Sequence, residues 1–263
     1  MRLTFLGTGT SQGVPVIACH CGVCRSTDER DRRLRTSALL RTDGGRNILF
    51  DIGPDFRQQM LREGVERLDA ILITHAHRDH VGGLDDIRSF NYVQGRKMDV
   101  YLNEEAARAI RNDYHYIFEP HVYPGLPEAE LHVLGLTGGG SPIGEGSVEV
   151  AGVMVTPIKA MHKDLPVLGY RVGKMAYVTD ANYIAEEEQE KLRGLKVLVL
   201  NALRKEKHFS HFCLGEALEL IERVKPERAL LTHISHEMGL HAEVSDELPA
   251  GVELAYDGEE VEI

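Results

Sequence analysis

At 263 residues the chain can bury a sizeable core without disulfide staples, and its 43% hydrophobic and 27% charged residues are those of a globular protein. A formal net charge of −11 excludes broad, sequence-independent binding to DNA, RNA or anionic membranes, which needs a basic face. It does not exclude a small anionic substrate, because bound divalent metals would reverse the local field.

Residues 2–6 alternate as a strand, and the apolar run there is too short for a signal peptide. No run approaches the roughly 18 apolar residues of a membrane span, so the expectation is a cytoplasmic protein. The strand enters Gly7-Thr8-Gly9-Thr10-Ser11-Gln12-Gly13. Such a loop can offer backbone N–H groups to an anion, but it lacks a P-loop lysine and a dinucleotide fingerprint. It reads as a tight loop first and as a substrate-facing loop second.

Cys19, Cys21 and Cys24 place three of the four cysteines within six residues. C-x-C-x-x-C thiolates suit a structural zinc that still needs one ligand. A disulfide with a spare thiol is the competing reading, disfavoured in a reducing compartment. His20 lies between two of these cysteines and would point away, and Cys213 reads as ordinary core. Residues 36–40 and 47–51 read as strands around Thr42-Asp43-Gly44-Gly45, and a helix is expected over 56–64.

Residues 70–74 form an apolar run ending in Thr, the pattern of a buried strand. His75-Ala76-His77-Arg78-Asp79-His80 follows, with four potential metal ligands in six residues. Alternate residues of extended backbone share a face. His75 and His77 can therefore meet one metal, while Asp79 and His80, past the bend, meet a second. Imidazole and carboxylate suit zinc, or manganese or iron at higher coordination number.

H-x-H-x-D-H at a strand end resembles the signature of the metallo-β-lactamase superfamily. The resemblance implies an α/β (α+β) fold, a four-layer αββα sandwich, here as a single domain over 1–263. It also implies three ligands downstream: a His, a bridging Asp and a last His, each at a strand end. In the superfamily an Asp at the place of Asp51 supports the metal loop; a turn residue is the equal alternative.

Helices are expected over 86–92 and 104–112, with a strand over 98–102 between them. Tyr114-His115-Tyr116-Ile117-Phe118-Glu119-Pro120-His121 is the most aromatic patch, suited to core packing, to a wall over the site or to a dimer contact. His115, His121 and His132 have no companion ligands at useful spacing. Gly138-Gly139-Gly140-Ser141-Pro142 reads as a turn, since strand patterns resume at 147–150 and 153–157. His162 fits the third His, and a hairpin of 168–172 and 174–179 delivers Asp180 to the place of the bridge. Residues 196–201 form a strand apolar on both faces. A polar loop over 203–211 leads to a helix with Leu214, Ala217, Leu218, Ile221 and Val224 on one side, stopped at Lys225-Pro226. The strand at 229–232 ends at His233, which fits the last ligand.

The cysteine run, Ser210-His211 before this helix and Thr232-His233-Ile234-Ser235-His236 after it are together similar to the PhnP-type cyclic-phosphate phosphodiesterase branch. By position, the resemblance implies a structural zinc on Cys19, Cys21, Cys24 and His236. It implies two active-site divalent metals, zinc or manganese: one on His75, His77 and His162, the other on Asp79, His80 and His233, with Asp180 bridging. His211 is the implied catalytic histidine, with His208 as its rival, and Asp79 counts as catalytic as well as ligating. The expected reaction is hydrolysis of a small phosphodiester, cyclic or ribose-linked, by water activated between the metals. A ribonuclease Z-like tRNA 3′-processing endonuclease is the alternative, disfavoured by the charge and by the lack of a long basic arm. A β-lactamase or glyoxalase would not need His211 or the cysteine site, and a non-catalytic metal-binding module would be expected to lose ligands. The expected partners are a small-molecule phosphodiester and, as a further option, a second copy in a homodimer; membrane and nucleic acid are not expected.

Overall fold

The computed structural model describes residues 1–119, 125–134 and 146–263, so His121 and the Gly138–142 turn lie outside the described residues. Among the described residues, fourteen strands form two seven-stranded sheets. The first holds β1 (Arg2–Gly7), β2 (Ser37–Arg41), β3 (Asn47–Phe50), β4 (Ala70–Leu72), β5 (Met98–Leu102) and β6 (Ala129–Val133). The second holds β7 (Val148–Val150), β8 (Val153–His162), β9 (Leu165–Val172), β10 (Met175–Val178), β11 (Val197–Asn201), β12 (Arg228–Thr232) and β13 (Val252–Leu254). The chain then returns to the first sheet as β14 (Glu260–Glu262), antiparallel to β1. The strand orders are β14-β1-β2-β3-β4-β5-β6 and β13-β12-β11-β10-β9-β8-β7.

Both sheets are mixed. β3 to β6 run parallel, as do β10 to β13. Parallel neighbours need crossover connections, and helices supply them. In the first half these are α1 (Phe56–Arg62), α2 (Arg78–Val81), α3 (Arg88–Gln94) and α4 (Glu104–Asp113); in the second, α5 (Glu186–Gln189), α6 (Leu214–Val224) and α7 (His241–Glu247).

Side-chain alternation fixes the layers. Along β11, Val197 and Val199 join Phe50, Tyr177 and Leu230 between the sheets, while Leu198 and Leu200 face Ala217, Leu220 and Ile221 of α6. Along β4, Ala70 and Leu72 point inward and Ile71 packs with Phe56, Phe90 and Ile110 under the helices. A strand covered on both faces needs an apolar run, and Ala70–Leu72 and residues 197–200 are such runs. The result is the expected αββα sandwich. Phe50 and Tyr177 join its halves as a stacked pair with centroids 4.7 Å apart.

One detail differs from the sequence expectations, and two readings are made definite. The helix expected over 86–92 is α3, Arg88–Gln94, preceded by a 3-10 turn at Leu84–Ile87 and stopped by Gly95 at φ 62°. β8 runs unbroken through Pro157 and closes at His162, the strand end expected for that ligand. Among the described residues β7 pairs with 153–155, and no strand pairs with Pro157 on that side of β8, where a missing N–H costs no ladder bond. The aromatic patch is core: Tyr114 and Ile117 are buried, and Tyr116 and Phe118 pack against the same cluster. No helix among the described residues is long and apolar enough to cross a membrane.

Phe50→Ala should cost about 3–5 kcal/mol, because it opens a cavity between two rigid sheets. Urea unfolding monitored by circular dichroism checks this. A loss under about 1 kcal/mol would mean that the interlayer contact does not hold the halves together.

Candidate metal centres

The predicted ligands converge because they all sit at or just past strand C-termini. Asp51 follows β3, His75 follows β4 through Ile73 and Thr74, His162 closes β8, Asp180 follows β10 and His233 follows β12. Asp51, Asp180 and His233 adopt left-handed backbone, with φ of 57°, 57° and 56°. That conformation is uncommon outside glycine and costs on the order of 1–3 kcal/mol. It turns the chain out of the sheet at the residue that carries the functional side chain. Glycines give the loops room: a Cβ on Gly53 would lie 2.2 Å from the Asp79 carbonyl oxygen, so only glycine lets the Asp51 loop pass under the metal loop. The metal loop also hangs from the second sheet, because Leu168 N–H donates to the Thr74 carbonyl at 3.0 Å.

Ligating atoms of His75, His77, His162 and Asp180 lie within 4.8 Å of one another, as do those of Asp79, His80, Asp180 and His233. Asp180 belongs to both groups. Its Oδ1 is 2.8 Å from His233 Nδ1, and its Oδ2 is 3.2 Å from His80 Nε2 and 3.6 Å from His75 Nε2. Asp79 Oδ2 is 3.2 Å from His80 Nε2. His75 Nε2, His80 Nε2 and His233 Nδ1 are buried with no hydrogen-bond partner. Orphaned buried nitrogens cost about 1–3 kcal/mol each. A pair of divalent cations between them would give every one a partner, so the residues fit the metals that the sequence implies.

The opposite ring nitrogens of His75, His80, His162 and His233 are engaged, which fixes those rings. His80 Nδ1 donates to Asp51 Oδ2 at 2.7 Å, and His162 Nδ1 donates to the Ser210 carbonyl at 2.7 Å. His75 Nδ1 lies 3.0 Å from Thr74 Oγ1. Asp51 is fully buried and also accepts from Thr74 N–H at 2.8 Å and Thr74 Oγ1 at 2.9 Å, so it supports the metal loop and does more than turn the chain. His233 Nε2 meets Thr10 Oγ1 at 3.1 Å. Thr10 was not singled out in the sequence. Its loop is docked there by Thr10 N–H donating to the Ile234 carbonyl at 3.1 Å.

Burial, helped by the neighbouring His80, holds His75 neutral far below the usual histidine range, and burial brings His162 down to about 4. Burial opposes ionisation of Asp180, but His233 and His80 outweigh it and keep the carboxylate charged. Asp79 is likewise held low, burial being overcome by His80. Burial disfavours a charged His80 too, yet Asp180, Asp79 and Asp51 together push its pKa well up. A cation held there would take the place of that proton, since only a neutral imidazole can ligate.

His211 stands outside both ligand groups. Its Nε2 is 3.4 Å from Asp180 Oδ2, and its ring lies 4.5 Å from that of His162 and 5.0 Å from that of His233. Its Nδ1 is 3.1 Å from Ser210 Oγ and 3.1 Å from His208 Nδ1, so His208 is one step further out.

The second cluster gathers Cys19, Cys21, Cys24 and His236, again within 4.8 Å. His236 Nδ1 is 3.4 Å from both Cys19 Sγ and Cys21 Sγ. The Cys24 N–H, then His236, lower the Cys21 thiol to about 6, while burial raises Cys24 to about 11. A divalent cation would draw out the remaining protons. All four cysteines are free, so the disulfide reading is not adopted. His20 is exposed outside the group, Cys213 is buried at the start of α6, and His132 pairs with Asp99 at 2.8 Å.

Residues 46–234 match the β-lactamase superfamily domain. A solved structure described as a new diphosphatase from the PhnP family superposes at a TM-score of 0.89 with 38% identity, covering 100% of this chain and 97% of that one. The chain belongs to the PhnP family of the β-lactamase superfamily. Like other hydrolases of this fold, this PhnP-family chain is a metal-dependent hydrolase. Zinc-bound PqqB from Methylobacterium extorquens shares the fold at a TM-score of 0.77 and 19% identity, each chain covered completely. A Porphyromonas gingivalis protein named octanoyltransferase is 43% identical over 259 residues, 98% of this chain and 51% of that protein. The PhnP-family chain thus spans about half the length of that relative.

Thr10→Ala should weaken metal retention about 10–100-fold, the usual effect of removing a ligand's outer partner, and Thr10→Ser should restore it. Competition against a chelator reads this directly. Equal retention in all three proteins would mean that Thr10 does not orient His233.

Proposed function

We propose that this chain hydrolyses a small disubstituted phosphoryl compound. The class covers phosphodiesters, cyclic or ribose-linked, and the P–O–P bridge of a disubstituted diphosphate. The observation that carries the reading is one carboxylate, Asp180, shared by two ligand groups with His211 against it. His75, His77 and His162 hold one cation, Asp79, His80 and His233 the other, and Asp180 spans both. Cys19, Cys21, Cys24 and His236 hold a structural zinc. Two divalent cations there, zinc or manganese, would lower the pKa of water and neutralise charge on the phosphoryl oxygens.

This chain's own residues do the rest. Asp79 keeps a side-chain exposure of 12% against 2% for Asp180, so it is the carboxylate placed to accept a hydrogen bond from the attacking water. His211 donates a proton to the departing oxygen, its far nitrogen held by Ser210 and His208. A disubstituted phosphoryl centre carries less charge than a monoester, which suits a cluster whose added donor is a single histidine. A long polyanion would need distributed Lys and Arg contacts that a net charge of −11 does not favour. Acyl transfer, as in the name of the P. gingivalis relative, belongs to a protein about twice this length and is not carried over.

The test compares kcat/KM, with zinc and with manganese, for a ribose cyclic phosphate, a dinucleoside diphosphate, the matching monoester, a precursor tRNA and a β-lactam. Turnover of the diester or the diphosphate well above the monoester supports the reading. Cleavage of tRNA alone would make the chain a tRNA-processing nuclease, and full metal loading with no turnover would make it a binding module. His211→Ala should keep its metals and lose roughly 100-fold or more in kcat, with His208→Ala mild. A reversal of the two effects moves the proton-donor role to His208.

A further inference from the structure

We propose that Phe209 and Lys163 form a nucleobase-binding rim on this site, which makes the substrate a nucleotide. The inference rests on the phosphoryl hydrolysis proposed above and adds the class of its organic group. Phe209 is 70% exposed, although most large apolar side chains of this protein are buried. It sits two residues before His211, and its ring centroid is 4.5 Å from that of His208, which is in turn 5.1 Å from that of His211. Lys163 directly follows His162 and places its Nζ 5.7 Å from the centre of the Phe209 ring.

The arrangement is held in place rather than loosely draped. Asn182, two residues past Asp180, accepts from Lys163 N–H at 2.7 Å and donates to the Phe209 carbonyl at 3.3 Å. Lys163 adopts left-handed backbone, with φ 57°. Each of the three segments that brings His162, Asp180 or His211 to the centre thus contributes one member of the rim. These bonds hold the backbone that carries Phe209, and its ring stays 70% exposed. A base would stack on it regardless of sequence, because every base has a π-face. Lys163, beside the same ring, adds a cation for it and for phosphoryl oxygens. A cavity of about 940 Å³ beside β8, lined in part by Tyr183, Met161 and Leu134, is a neighbouring recess, and none of the ligands lines it.

The probe is adenosine monophosphate against ribose 5-phosphate, titrated calorimetrically into the metal-loaded enzyme. Both present the same phosphate, and only one carries a base. Wild-type protein should prefer the nucleotide roughly 10-fold or more, Phe209→Ala should lose most of that preference, and Phe209→Trp should keep it. Tyr183→Ala, on the neighbouring cavity, should keep it as well. The ratio of kcat/KM for adenosine 2′,3′-cyclic phosphate over ribose cyclic phosphate should follow the same order. Equal binding of the two probes, or a preference that survives Phe209→Ala, overturns the rim. A Phe209-dependent preference without hydrolysis of either cyclic phosphate would uphold the rim and sink the phosphodiester reading. Efficient hydrolysis without base preference would do the reverse.

Discussion

A buried carboxylate, Asp180, fixes the geometry of the site. It lies in the core with His233, His80, His75 and His211 around it, and burial alone would disfavour its charge. Its charge survives because cationic or ligating groups surround it on every side that faces the site. Such a cluster is unfavourable as bare protein: three ring nitrogens have no hydrogen-bond partner, and three residues adopt left-handed backbone to reach their places. Cations between the two groups would resolve the first cost and offset the second. The two sheets exist, in functional terms, to bring five strand ends to that point and hold them there.

The N-terminal loops tie the two metal centres together. Arg33 is buried and donates to Thr8 Oγ1 at 2.8 Å and to the Ala255 carbonyl at 2.6 Å. Asp257 accepts from Thr8 N–H and Thr8 Oγ1, at 2.9 and 2.7 Å, and from Leu34 N–H at 2.7 Å. This network locks the glycine-rich loop against the turn after β13, while Ile234 N–H, donating to the Thr8 carbonyl at 2.8 Å, docks the loop on the turn after β12. The turn after β12 carries His233 to the histidine and aspartate cluster and, three residues later, His236 to the cysteines. A zinc among Cys19, Cys21, Cys24 and His236 would therefore brace Thr10 and His233 as well as the local fold, since structural zinc contributes folding free energy directly.

What the sequence makes legible follows from how local each feature is. H-x-H-x-D-H can be read because its four ligands share one strand end, and C-x-C-x-x-C because its thiolates share one loop. His162, Asp180 and His233 carry no signal alone; they become readable only in the order that a known family prescribes. β4 and β11 announce burial on both faces through unbroken apolar runs. Thr10 escapes because its contact with His233 spans 223 residues and follows no spacing rule. Asp51 remains ambiguous in sequence because turn and support both use an Asp after a strand, and only the 2.7 Å bond to His80 separates them. The aromatic run is equally mute: its period does not say whether Tyr114 closes a site or, as it does, donates to the Val81 carbonyl at 3.0 Å beneath the metal loop.

The most direct test is anomalous diffraction at the zinc edge from crystals of the zinc-loaded protein. The account predicts three peaks per chain. Two should lie about 3.5–4 Å apart on either side of the Asp180 carboxylate, one by His75, His77 and His162 and one by Asp79, His80 and His233. The third should sit among Cys19, Cys21, Cys24 and His236. A single peak at the histidine cluster under saturating zinc, or a pair that Asp180 does not bridge, would contradict it.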